Sequence, residues 1–189
     1  MLVILAILAA IMVPSMTGWI EKAKEQKYIA DARLVYTAAQ SAISEQYGIN
    51  PGFSAGLKFA ERATDGSKGS FGRVSSNMLS VVQTGGTTTE QQGIDKAIAT
   101  QVLNYLDSSD KNTARYKFPR ISGPTQTETV SDYCASKKQP GVIIVYDGTG
   151  TVRWVEFGYD DCLVHIDDKG VQTATGSDAK FYSLYRKTD

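Results

Sequence analysis

Histidine and cysteine are nearly missing from this chain, which has one histidine, His165, and two cysteines, Cys134 and Cys162. A zinc centre is built from clusters of those side chains, so no cofactor or metal is expected. Neither sign of charge is in excess, because 20 Lys and Arg stand against 20 Asp and Glu. Long-range attraction to a polyanion needs a basic surplus, and nucleic acid is not an expected partner. No GxSxG elbow occurs, and with a single histidine there is no second imidazole to assist a general base. An enzyme is therefore not expected, and no residue is assigned a catalytic role. Proline is absent between Pro14 and Pro51, so nothing in that interval removes a helix hydrogen bond.

What the chain does have starts at residue 1. Met1 to Val13 (MLVILAILAAIMV) is wholly apolar, and no charge appears before Glu21. A spanning helix needs about 20 apolar residues at about 1.5 Å each. Residues 1–20 fit that length, whereas the stretch ahead of Pro14 alone covers about two thirds of it. Leu2, Leu5, Leu8 and Ile11 make up the apolar bulk, and Ala6, Ala9 and Ala10 permit close helix approach. Pro14 and Gly18 offer a point of kinking, and Trp19 suits a membrane–water boundary. A core helix or a cleavable signal fits less well, since a signal wants a basic region before its apolar run and a break after it.

Residues 21–48 continue as the amphipathic half of the same helix. Tyr28, Ala32, Val35, Ala39, Ala42 and Gln46 recur at spacings of four and three, with Leu34, Ala38 and Ile43 widening the stripe. That face should cover a domain core, and Gly48, Pro51 and Gly52 should stop the helix. Residues 49–140 form a loop-rich region. Asn50 to about Gly86 reads as a long loop with one short element near Met78–Val82, and Thr87 and Glu90 have capping-box spacing for a second helix over 88–106. Ile94, Ala97, Ile98, Val102 and Leu106 should face inward.

In 141–189 the period changes to that of strands. Val142–Asp147, Val152–Tyr159, Cys162–Asp167 and Val171–Thr175 are β-branched and aromatic runs separated by Gly-Thr-Gly, Asp-Asp and Asp-Lys-Gly turns. They predict a four-stranded antiparallel meander packed on the amphipathic half of the first helix, an α+β fold. His165, between Val164 and Ile166, points to the opposite face from both, in a surface or cross-strand structural role. The acids at Asp107–Asp110, Asp160–Asp161 and Asp167–Asp168 are read as turn formers, with calcium ligation as the less common use. Trp154 is expected to be buried.

The segment Val3 to Ser15 (VILAILAAIMVPS), followed by a charged amphipathic helix, a loop and a C-terminal antiparallel sheet, resembles the type IV pilins and type II secretion pseudopilins, which carry a prepilin-type N-terminal methylation segment. Close likeness covers the first thirty or so residues, and the rest agrees in layout. Those families begin with a basic leader, a cleavage-site Gly, an aromatic residue or Met, and a Glu shortly after. Counted back from Pro14, these positions fall upstream of Met1, so a shortened N-terminus is expected. Lys22, Lys24 and Lys27, taken alone, would place the head in the cytoplasm by the positive-inside rule; a basic leader would reverse that. The resemblance implies a disulfide between Cys134 and Cys162, and partners that include copies of the chain or other pilins, membrane lipid, a prepilin peptidase and an assembly platform. It also implies a single-pass location in the cell membrane and in an extracellular pilus. The expected function is a filament subunit. A pseudopilin of a secretion or DNA-uptake machine, or a tethered binding domain with no assembly role, are the other readings.

Overall fold

The computed structural model describes residues 2–51, 53, 59–62, 68–74, 89–106, 116, 129–137 and 139–181, with side chains on α1 from Gly18 onward. The first helix, α1, runs from Leu2 to Ile49 without a break, so its backbone stays helical through Pro14. It ends where Asn50 turns back on the last turn: its amide nitrogen donates to Gln46 O, and its side-chain Nδ2 reaches Gln46 O and Oε1. The later elements are β1 (Phe59–Arg62), β2 (Lys68–Val74), α2 (Thr89–Tyr105), α3 (Val130–Lys137), β3 (Gly141–Asp147), β4 (Val152–Tyr159), β5 (Cys162–Asp167) and β6 (Gly170–Thr175).

The strands form one antiparallel sheet in the order β1-β2-β3-β4-β5-β6. Its last four strands are the expected meander, with boundaries within a residue of those read from the sequence. The first two are a correction, because they lie inside the stretch expected to be a loop. Lys68-Gly-Ser-Phe-Gly-Arg-Val74 has two glycines and a single aromatic, so its β-propensity is weak. Pairing of Phe71, Gly72, Arg73 and Val74 with β3 supplies the order that composition does not. The short element expected near Met78–Val82, Thr87 of the capping box and Asp107–Asp110 lie outside the described residues.

One face of the sheet packs on α1 and α2. Tyr28, Ala32, Val35, Ala39, Ala42 and Ile43 meet Val142, Ile144, Tyr146, Val155, Phe157 and Val164, joined by Ile94, Ile98 and Val102. Alanine at three of these helix positions lets the backbone approach the strands closely, as dense packing requires. Leu34, expected on this stripe, is instead 59% exposed. Six residues beyond Tyr28, it sits about 120° round the helix, outside the strip the sheet can cover. Tyr146 adds a buried polar tie through its hydroxyl to the Asp95 carboxylate of α2.

The opposite face carries a second core. Ile143, Val145, Trp154 and Leu163 lie under α3 and the segment after β6, where Val130, Tyr133, Ala179 and Phe181 close over them. Burial on both faces explains why Val142–Tyr146 reads as a continuous apolar run instead of an alternating one.

Candidate functional site

The neck, where α1 leaves the head, brings Gly18 and Cys162, two of the residues singled out for function, to one cleft, with Trp19 beside them on the helix. From Tyr28 onward the helix is anchored to the sheet: the Tyr28 hydroxyl donates to Asp160 Oδ2 at 2.6 Å, and its ring meets Tyr159 edge-on at 5.7 Å. Burial, together with the Asp160 carboxylate, pushes the Tyr28 phenol well above its ordinary range. One turn earlier, Glu25 Oε1 accepts a 2.7 Å hydrogen bond from the Thr173 hydroxyl of β6. Asp160 has a φ of 55°, the left-handed region that Asp tolerates better than most residues. That conformation lets the two-residue Asp160–Asp161 turn close the β4–β5 hairpin beneath the helix.

Ahead of Tyr28 the helix has little cover. Among the described residues from Gly18 to Lys27 only Glu25 is even partly buried, and Trp19 is 76% exposed and Ile20 56% exposed. No neighbour lies within 4 Å of where a Cβ on Gly18 would sit. Leu2, Leu5, Ala6, Leu8, Ala9, Ala10, Ile11 and Pro14 are on the helical backbone of α1, and their side chains lie outside the described set. Among the described residues no helix is long and apolar enough to cross a membrane. Between this neck and the head lies a cleft of about 590 Å³, lined on the helix side by Glu21, Lys22, Lys24 and Glu25 and on the sheet side by Asp161, Cys162 and Thr175.

The disulfide expected between Cys134 and Cys162 is not formed. Cys162 belongs to the core under α1 and Cys134 to the core under α3, so the sheet separates their environments. Burial, with Glu25, Asp161 and Asp160 nearby, pushes the Cys162 thiol up to about 11. It is a poor nucleophile at neutral pH.

Sequence reasoning missed a buried cluster of polar side chains on the α3 face. Glu156 and His165 are register partners on β4 and β5. His165 Nδ1 is 3.4 Å from Glu156 Oε1, and its Nε2 is 3.6 Å from Asp167 Oδ2. The imidazole lies over Trp154 with ring centres 5.4 Å apart. The cross-strand role expected for His165 is therefore present, but on a buried face and not at the surface. Side-chain exposure of 1% or less for His165, Glu156 and Asp167 places the cluster inside the fold, away from any surface cleft. A signal was available: Glu156 and His165 each stand between apolar neighbours, at positions that a two-residue turn brings opposite each other.

Asp147 and Asp167 act as turn formers. Asp147 Oδ1 accepts from Thr149 N at 2.8 Å, Thr149 Oγ1 at 2.6 Å and Thr151 N at 3.2 Å, and its Oδ2 meets Arg153 Nε at 2.7 Å. Burial works against ionisation there, yet these hydrogen bonds and Arg153 together hold the carboxyl below its usual range. Asp167 Oδ1 likewise accepts from Lys169 N and Gly170 N at 2.9 and 3.0 Å. No group of three metal-ligating side chains occurs among the described residues. No protein-family model, curated protein or solved structure matches the chain.

Proposed function

We propose that the chain is a structural subunit of a type IV pilus-like filament, held before assembly as a single-pass protein of the cell membrane with its head at the cell surface. One observation carries this reading: a single unbroken helix is divided in use. From Tyr28 its inner face lines the core, whereas Gly18–Lys27 is nearly uncovered and the apolar run Met1–Val13 precedes it. Apolar surface in water costs about 25 cal/mol per Å², so such a run needs lipid or other copies around it. Residues 1–20 can use both in turn. Ala6, Ala9 and Ala10 allow helices of neighbouring copies to approach closely, and the helix stays fixed to its own head through Tyr28, Glu25 and Gln40, whose Nε2 donates to Gly150 O and whose Oε1 accepts from Val152 N, both at 2.9 Å.

The test is made in a host with a pilus assembly machinery. Expressed with a basic leader, a cleavage-site Gly and a Glu added ahead of Met1, the chain should resist alkaline extraction from membranes, and it should appear in filaments sheared from the surface, cross-linked copy to copy. Release into the alkaline supernatant would overturn the anchor. A chain that stays in the bilayer and never cross-links to a copy would be a tethered head, and the assembly role would fall.

A further inference from the structure

The cleft at the neck mixes both signs of charge at a single level of α1. Glu21 to Glu25 rise by about 6 Å, close to the 5–7 Å or so of headgroup layer on each side of the hydrocarbon. If residues 1–20 span the bilayer, the cleft opens at headgroup depth, so a lipid ligand for it rests on the membrane part of the proposed function. Lys22 and Lys24 make no ion pair among the described residues. The carboxylates come from two elements, Glu21 and Glu25 on α1 and Asp161 on the β4–β5 turn. Glu25 already accepts the Thr173 hydroxyl, which leaves Glu21 and Asp161 to meet a cation.

We infer that this cleft binds a phosphoethanolamine group, presented as the headgroup of a membrane phospholipid. The phosphate takes a charge-assisted hydrogen bond from Lys22 or Lys24, which flank the cleft on opposite sides because residues two apart on a helix do not face each other, and the primary ammonium donates to Glu21 and Asp161. At about 590 Å³ the cleft lies within the roughly 300–1,000 Å³ range of small-ligand sites. A choline headgroup is disfavoured, because its methylated nitrogen has no N–H to donate. Recognition of a quaternary ammonium uses open aromatic faces, and the Tyr28 ring is committed to Tyr159 and Phe157. A glycerol headgroup brings no cation, so the carboxylates would face its phosphate uncompensated.

The test uses the full chain reconstituted in vesicles of equal phosphatidylethanolamine, phosphatidylcholine and phosphatidylglycerol. Flotation reports anchoring, and native mass spectrometry of the released protein reports which lipid it keeps. Phosphatidylethanolamine should be retained about fivefold over phosphatidylcholine, the ratio that corresponds to about 1 kcal/mol for ion pairs of this exposure. Asp161→Asn should bring that ratio toward one, whereas Lys22→Gln with Lys24→Gln should lower the retention of both lipids, which share the phosphate; these side chains are solvent-exposed, so folding is kept. Equal retention by a chain that floats overturns the site, and so does a preference that survives Asp161→Asn. Displacement of the lipid by millimolar free phosphoethanolamine would make the ligand a soluble molecule and overturn the lipid assignment. A chain that does not float refutes the anchor alone, and a ³¹P shift titration with phosphoethanolamine on the same protein then decides the cleft: a saturable shift lost in Asp161→Asn supports it, and no shift overturns it.

Discussion

Gly158→Ala probes the second core. Gly158 pairs with Gly141 on β3 and Leu163 on β5, under α3 and the segment after β6. A Cβ there would lie 2.7 Å from Phe181 Cζ, 2.8 Å from Val130 Cγ2 and 3.0 Å from Phe181 Cε1. Ordinary carbon contacts begin at about 3.5 Å, so both neighbours must move by a good part of an ångström. Neither is loose: the Phe181 ring meets Tyr133 edge-on at 5.6 Å, and Val130 N donates to Ala179 O at 2.8 Å. Overpacking of this kind costs about 1–3 kcal/mol. Against it stands about 0.4–1 kcal/mol gained by restricting the unfolded chain. Taken at the middle of both ranges, the net expectation is a loss of about 1.3 kcal/mol, or a Tm lower by about 3–5 °C at this size. Denaturant unfolding of the full chain should show a lower midpoint with an unchanged slope. Adding Phe181→Leu shortens the ring that blocks the methyl group, so the double variant should recover part of the loss, with a coupling of about 0.5 kcal/mol or more. An unchanged or raised Tm in Gly158→Ala, or strict additivity in the cycle, would refute the packing argument.

Three further outcomes are expected. His165→Leu should destabilise by about 1–3 kcal/mol in urea, because it leaves Glu156 and Asp167 buried beside an apolar group, while His165→Gln, which keeps a donor, should lose less; equal losses would count against the polar contacts. The Asp147 carboxyl is held below its usual range in the folded chain, so its contribution is present above the unfolded value of about 3.9 and is lost as pH falls through the folded one. Melting of Asp147→Asn against pH should therefore be flatter than wild type in the acid range, and parallel curves would reject the assignment. With its thiol up at about 11, Cys162 should resist iodoacetamide at pH 8 in the folded chain, and both cysteines should be alkylated without reductant once unfolded. A mass two hydrogens short, with neither thiol labelled, would restore the disulfide.

The acid pairs show how far composition carries. Asp160–Asp161 and Asp167–Asp168 were legible as turns, because short polar side chains between β-branched runs satisfy turn backbone locally. The Cys134–Cys162 pairing was not legible, since two cysteines in one third of a chain say nothing about which face of a sheet each occupies. His165 lies between these cases. Its strand and its facing were readable, yet its burial depended on α3 and Phe181, which are remote in sequence or belong to no strongly periodic run.

The sequence by itself determined the local elements whose hydrophobic period is strong. These were the amphipathic stripe from Tyr28 to Gln46, the helix over Thr89–Tyr105 and the four C-terminal strands, because a period of 3.6 or 2 survives in any surroundings that bury one face. Only the tertiary structure decided the rest: that β1 and β2 extend the sheet, that Leu34 faces out, that the sheet is covered on its second side, and that a charged cleft forms where α1 leaves the head. Each of these depends on contacts between residues far apart in the chain, and no local pattern encodes which partner a strand edge, a sheet face or a lysine will meet.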